Sequence, residues 1–181
     1  MMSQATKQTI IIVVVLFAII ISTVVIVQLI SSNMRDDSEK LYSFASTAKN
    51  FHEKIEDTGL IENIQTISEN IAQESPGDFS KIELSIEQGI LSSKGYKDQY
   101  NWLNPTSETL ELFESLLKEG SLIQKCYSRL YSAWSEKQAG NEAQCFQYLE
   151  EVTAFYDELV TFRDQNELNL DRLLLQAEQD G

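Results

Sequence analysis

The chain has 181 residues, with 14 basic against 28 acidic side chains and a formal net charge of −14. That balance excludes nucleic acid as a partner, because neutralising phosphates takes clustered Lys and Arg. One histidine, His52, and two cysteines, Cys126 and Cys145, exclude paired-histidine metal sites, a four-cysteine zinc site and a disulfide scaffold, so neither metal nor cofactor is expected.

Residues 1–7 form a short polar tail holding Lys7, and residues 8–34 carry no charge at all. Between 9 and 30 only Thr9, Ser22, Thr23 and Gln28 are polar. As a helix these residues cover about 33 Å, enough for a hydrocarbon core of about 30 Å. The run is rich in Ile and Val, but a lone strand in lipid would leave its backbone unpaired, so helix is the expected form. The run exceeds the roughly 7–15 apolar residues of a cleaved signal peptide, and Ser31-Ser32-Asn33 is a poor cleavage site. An uncleaved, single-pass anchor in the lipid bilayer follows. Lys7 before the run fits a signal-anchor with the C-terminal domain outside the cytoplasm, whereas Arg35, Lys40 and Lys49 beyond it pull the other way.

Residues 35–181 read as an acidic α-helical domain. Its membrane-proximal part, 35–75, opens with Leu41, Phe44, Ala48, Phe51 and Ile55, an apolar seam of helical period. No breaker separates this seam from the span, so one continuous helix is expected. After Gly59, Leu60, Ile64, Ile67 and Ile71 continue the pattern until Ser75-Pro76-Gly77-Asp78. A short helix is expected over 78–95, with Ser80 and Glu83 as a capping box and Phe79, Ile82, Ile86 and Ile90 as its apolar face. Residues 96–104 lack a clear period and form an aromatic loop. Tyr96, Tyr100 and Trp102 in this loop are the best candidates for a contact surface, since exposed loops carry function more often than core elements do.

A helical hairpin is expected over 105–178. Asn104 can cap its first helix, with Pro105 at the first position, where a missing N–H costs nothing. Leu110, Phe113 and Leu117 begin the apolar face, Gly120 is a candidate kink, and Ile123, Tyr127, Leu130, Tyr131 and Trp134 continue it. Ala139-Gly140-Asn141 stops this helix and caps the next. The last helix carries Leu149, Val152, Tyr156, Leu159, Leu170 and Leu173, a seam interrupted by Arg163 and Asn166. The fold class is therefore all-α: a single N-terminal transmembrane helix continuing into a bundle of about five helices with coiled-coil-like seams.

No catalytic constellation emerges. His52 lies beside the first seam, where a surface position is expected, and no nucleophile or ligand set accompanies it. Glu150-Glu151 and Asp157-Glu158 read as a solvated face. Across a hairpin about Gly140, Cys126 and Cys145 are offset by about 12 Å, beyond the roughly 7 Å a disulfide allows, so both are expected as free core thiols. Tyr127, Tyr131 and Trp134 share one helix face and are expected to pack against Phe146, Tyr148 and Phe155. The functional expectation is a non-enzymatic, membrane-anchored helical module for protein interaction or assembly, either self-associating or an accessory subunit of a membrane complex. The alternative is an extracytoplasmic ligand-binding sensory domain, which would need a partner to signal because its far-side tail is so short.

Overall fold

A computed structural model of the chain describes residues 37–73 and 79–180. The polar tail, the 8–34 anchor, its continuity with the first seam, its orientation and the Ser75-Pro76-Gly77-Asp78 breaker lie outside these residues. Among the described residues no helix is long and apolar enough to cross a membrane.

The all-α expectation holds: among the described residues there is no strand. Helix α1 covers residues 37–57 and α2 covers Glu62–Ala72. They are separated by a turn in which Gly59 adopts a φ of 63°, a left-handed conformation that a side chain would strain. Helix α3 runs Phe79–Tyr100, α4 runs Leu110–Ala139 and α5 runs Glu142–Asp180.

Side-chain bonds fix the topology. Ser38 at the start of α1 donates to the carbonyl of Ala177 near the end of α5, 3.0 Å away. Farther along, Arg163 of α5 donates to the carbonyl of His52. Beyond the Gly59 turn, Ile64 of α2 lines a cleft with Val152 and Tyr156 of α5. Thus α1 and α2 together make one rod antiparallel to α5. Helix α3 descends beside α4, with Phe79 against Trp134 and Tyr100 near the opposite end. The result is an up-down-up-down bundle of four rods, the first broken at Gly59.

One close approach and one helix stop shape it. A Cβ on Gly89 would sit 1.8 Å from the Tyr127 ring, so only glycine lets α3 lie this close to α4. The ring held there sends its hydroxyl to the carbonyl of Leu60, 2.7 Å away, and ties the α1–α2 turn to α4. At the far end, Gly140 takes a φ of 77°, its N–H bonds to Lys137 O, and Asn141 N–H reaches back to Glu136 O. This is the doubly bonded stop that a glycine at that position favours.

Several local expectations change. Residues 96–100 are not loop but the last turn of α3. Ser80 lies within the first turn of α3 rather than ahead of it. Pro105 does not open α4: it lies in the irregular stretch 103–106, the chain turns through 107–109, and Thr109 precedes the first helical residue. The Thr106 N–H donates to Thr109 Oγ1 at 2.9 Å and Phe113 N–H to Thr109 O at 2.9 Å, so buried Thr109 organises the start that Asn104 was expected to cap. Gly120 lies inside an unbroken helix, where its missing side chain makes room for Lys97 and Tyr100 of α3. Helix α5 passes through Arg163 and Asn166 without a break.

Candidate functional site

The core has two compositions along its length. Around α2 it is Ile64, Ile67, Ile71, Leu130, Trp134 and Val152. Around α1 it contains a polar cluster that the seams alone would not place there. The buried face of α1 is Leu41, Phe44, Ala45, Ala48, His52 and Ile55. His52 shares that buried face with Ala45 and Ala48, both fully buried. It is 2% exposed, and the expectation of a surface histidine is corrected. Phe51 is only half-buried, set edge-on to Tyr100 with ring centroids 6.4 Å apart.

At the centre of the cluster is Glu119 of α4, 0% exposed. Its Oε1 accepts from Arg163 Nη1 at 3.2 Å and its Oε2 accepts from Asn166 Nδ2 at 2.8 Å. Ser115 in turn donates to Asn166 Oδ1 at 2.6 Å. The guanidinium of Arg163 continues outward through Nη2 to the carbonyl of His52 and to the exposed carboxylate of Glu56. His52 Nδ1 lies 3.4 Å from Glu119 Oε1, within ion-pair range but not aligned for a hydrogen bond. Nearby, the Tyr100 hydroxyl has no hydrogen-bond partner among the described residues. Burial, with a smaller push from the Glu119 charge, holds that phenol well above its ordinary range, against a lowering by Arg163.

Three of these polar residues sit where apolar seam residues belong. Glu119 follows Leu116 by three positions and precedes Ile123 by four. Arg163 and Asn166 fill the gap between Leu159 and Leu170. Chemically the arrangement is closed: both oxygens of the carboxylate are occupied by donors and it is sealed from solvent. Charges buried this way resist displacement, because separating one from its partners leaves the others unpaired in low dielectric. The cluster therefore suits fixing the register of α1 against α4 and α5 better than turning over a substrate. The sequence held one signal for it, the interruption of the last seam by Arg163 and Asn166. Glu119 and Ser115 carried none.

The three aromatic residues expected to form a contact surface do not come together. Tyr100 is fully buried, so it belongs to the core. Tyr96 is half-buried on α3 and donates to the carbonyl of Lys54 at 3.2 Å. Only Trp102 stands out, 85% exposed in the loop after α3. It borders a cleft of about 290 Å³ together with Lys40, Phe44, Thr47 and Pro105. On the hairpin, Tyr127 and Trp134 are buried, whereas Tyr131 and Phe146 face solvent, so the expected aromatic stripe is only partly core.

Cys126 and Cys145 are buried free thiols. Desolvation pushes the Cys126 thiol up to about 12 and raises Cys145 as well, which keeps both in the poorly nucleophilic protonated form. The expected solvated carboxylates work as surface partners: Glu151 meets Arg129 at 2.7 Å and Glu158 meets Lys118 at 2.6 Å. The same α4 cations lie over α5 rings, Lys118 over Phe162 and Arg129 over Tyr148. No protein-family model, curated protein or solved structure matches the chain.

Proposed function

We propose that the chain is a membrane-anchored helical module for protein interaction or assembly, self-associating or serving as an accessory subunit of a membrane complex. The observation that carries this reading is a pair of exposed leucine repeats on outer helix faces. Leu84 and Leu91 lie seven residues apart on α3, and Leu168 and Leu175 lie seven apart on α5, all more than half exposed. Scattered apolar side chains on a surface need no explanation, but heptad spacing along one helix is the pattern that docks against another helix. The charge-free run over 8–34 supplies the anchor in this reading. Support for the sensory alternative weakens, because Tyr96, Tyr100 and Trp102 do not share a pocket.

The test is chemical cross-linking of the full chain in native membranes, followed by solubilisation and mass spectrometry. Cross-links from α3 or α5 to a second polypeptide, lost in Leu91→Asp or Leu168→Asp while helix content is unchanged, are expected. A monomer without cross-links in parent and variants alike would sink the reading.

A further inference from the structure

We propose that the end of the bundle carrying Trp102 rests on a lipid surface, with the indole at headgroup depth. This deepens the anchored-module reading and depends on it. Among the described residues Trp102 is the most exposed of the large apolar side chains, 85% accessible, while the other tryptophan, Trp134, is buried. An indole left in water on a polar loop is unusual, whereas at the boundary of a bilayer its apolar body and N–H both find suitable surroundings.

The position of the loop supports this occupant over others. Trp102, Pro105 and Thr106 lie against the first turns of α1, sharing a cleft with Lys40, Phe44 and Thr47. The Ser38–Ala177 bond brings the end of α5 to the same end of the bundle. Tyr42, Leu110 and Leu175, all partly exposed, are on the terminal turns that meet there. The charge-free run ends at Met34, six residues before Lys40. The three steps from Met34 to Asp37, the first residue of α1, reach at most about 11 Å in any conformation, not far beyond the roughly 5–8 Å headgroup layer on each side of the hydrocarbon. A chain anchored by residues 8–34 therefore presents this end, and no other, to the membrane. The strongly acidic domain favours a zwitterionic surface over an anionic one.

The two-tryptophan composition gives a direct test. The full chain and its Trp102→Phe variant are reconstituted into phosphatidylcholine vesicles, with and without bromine on the acyl chains just below the headgroup. The difference between the two emission spectra reports Trp102 alone, and an exposed position tolerates the substitution. Flotation with the vesicles on a density gradient reads out the anchor independently. The expected result is flotation, with the Trp102 emission shifted to the blue and quenched in brominated vesicles, as for an indole at headgroup depth. Flotation with Trp102 quenched by aqueous iodide and untouched by bromine would overturn the lipid contact, leave the anchor intact and point to a protein partner at Trp102. Failure to float would overturn both.

Discussion

The bundle has one continuous core whose chemistry changes along its length. The half built on α2 is sealed by aliphatic and aromatic side chains, with Gly89 letting Tyr127 lie against α3. The half built on α1 buries a carboxylate, an imidazole and an amide, and sets the partly buried guanidinium of Arg163 against the carboxylate. Apolar packing stabilises in proportion to the area removed from water and tolerates sliding between similar shapes. A buried charge network stabilises little in net terms, but it penalises every arrangement that separates its members. The difference assigns stability mainly to the α2 half and register mainly to the α1 half, the half that leads back towards residues 8–34.

The largest effect should come from breaking the network at its centre. Glu119→Ala leaves Arg163 Nη1 and Asn166 Nδ2 without their acceptor, while Arg163 Nη2 keeps His52 O and Glu56, at a cost of about 3–5 kcal/mol. Guanidinium denaturation of the full chain in mild detergent, followed by helical circular dichroism, measures it. Replacing His52, Glu119, Arg163 and Asn166 together by Leu, Leu, Met and Leu should instead give a bundle about as stable as the parent. A single variant that unfolds no more readily than the fourfold one would mean the charges are not coupled.

How much of this was legible in the sequence depends on what each position signals. The helical hairpin was readable because Gly140 and Asn141 have chemistry specific to a helix end. The α1 and α2 seams were readable because Ile and Leu repeat at helical spacing. The end of α3 was not: its buried face runs Ile82, Ile86, Gly89, Ser93 and Tyr100, and small residues at close approaches leave no hydrophobic period. Tyr96 and Tyr100 then looked like loop aromatics. His52 is not legible because Phe51 fits the apolar seam better, yet the helix buries His52 and leaves Phe51 half-buried. Glu119 was invisible because a lone glutamate among helical acids marks a solvated face far more often than a core.

The next effect, in the α2 half, appears with pH. Burial holds the Cys126 thiol at about 12 against an ordinary value of 9.0, and Tyr127 is raised in the same sense by burial. A raised value in the folded state means that the unfolded chain loses its proton first. The stability these groups contribute is complete below about pH 9 and is lost as pH rises towards 12, at about 1.4 kcal/mol per pH unit for each group titrating. Denaturation midpoints at stepped alkaline pH should fall accordingly. Cys126→Ala should fall less steeply between pH 9 and 10, before the tyrosines titrate, and equal slopes would count against a buried thiol.

Packing in the same half gives smaller changes. Gly89→Ala drives a methyl into the Tyr127 ring, and the ring cannot retreat without losing its bond to Leu60, so a loss of about 1–3 kcal/mol is expected. Tyr127→Phe keeps the ring and removes only that bond, for about 1 kcal/mol. The two halves are distinguished by coupling: combining Gly89→Ala with Glu119→Ala should be additive within about 0.5 kcal/mol, since the sites share no partner. A thermodynamic cycle showing strong coupling would dissolve the division of the core into two halves.

The smallest effect tests whether depth, rather than charge itself, gives the α1 half its character. Lys49 of α1 and Asp171 of α5 form an ion pair close to the network, but at the surface. The pair raises the Lys49 ammonium above its ordinary value, chiefly through the hydrogen bond to Asp171. In water such a pair gains little, because both charges are well solvated when apart and salt screens them when together. Lys49→Met should therefore cost at most about 1 kcal/mol in low salt. In high salt the difference should shrink further, while the Glu119→Ala penalty, shielded from the ions, should persist. If Lys49→Met proved as costly as Glu119→Ala, or if both losses vanished together in salt, the register of α1 would rest on long-range attraction between acidic and basic helices. The buried cluster would then be incidental to it.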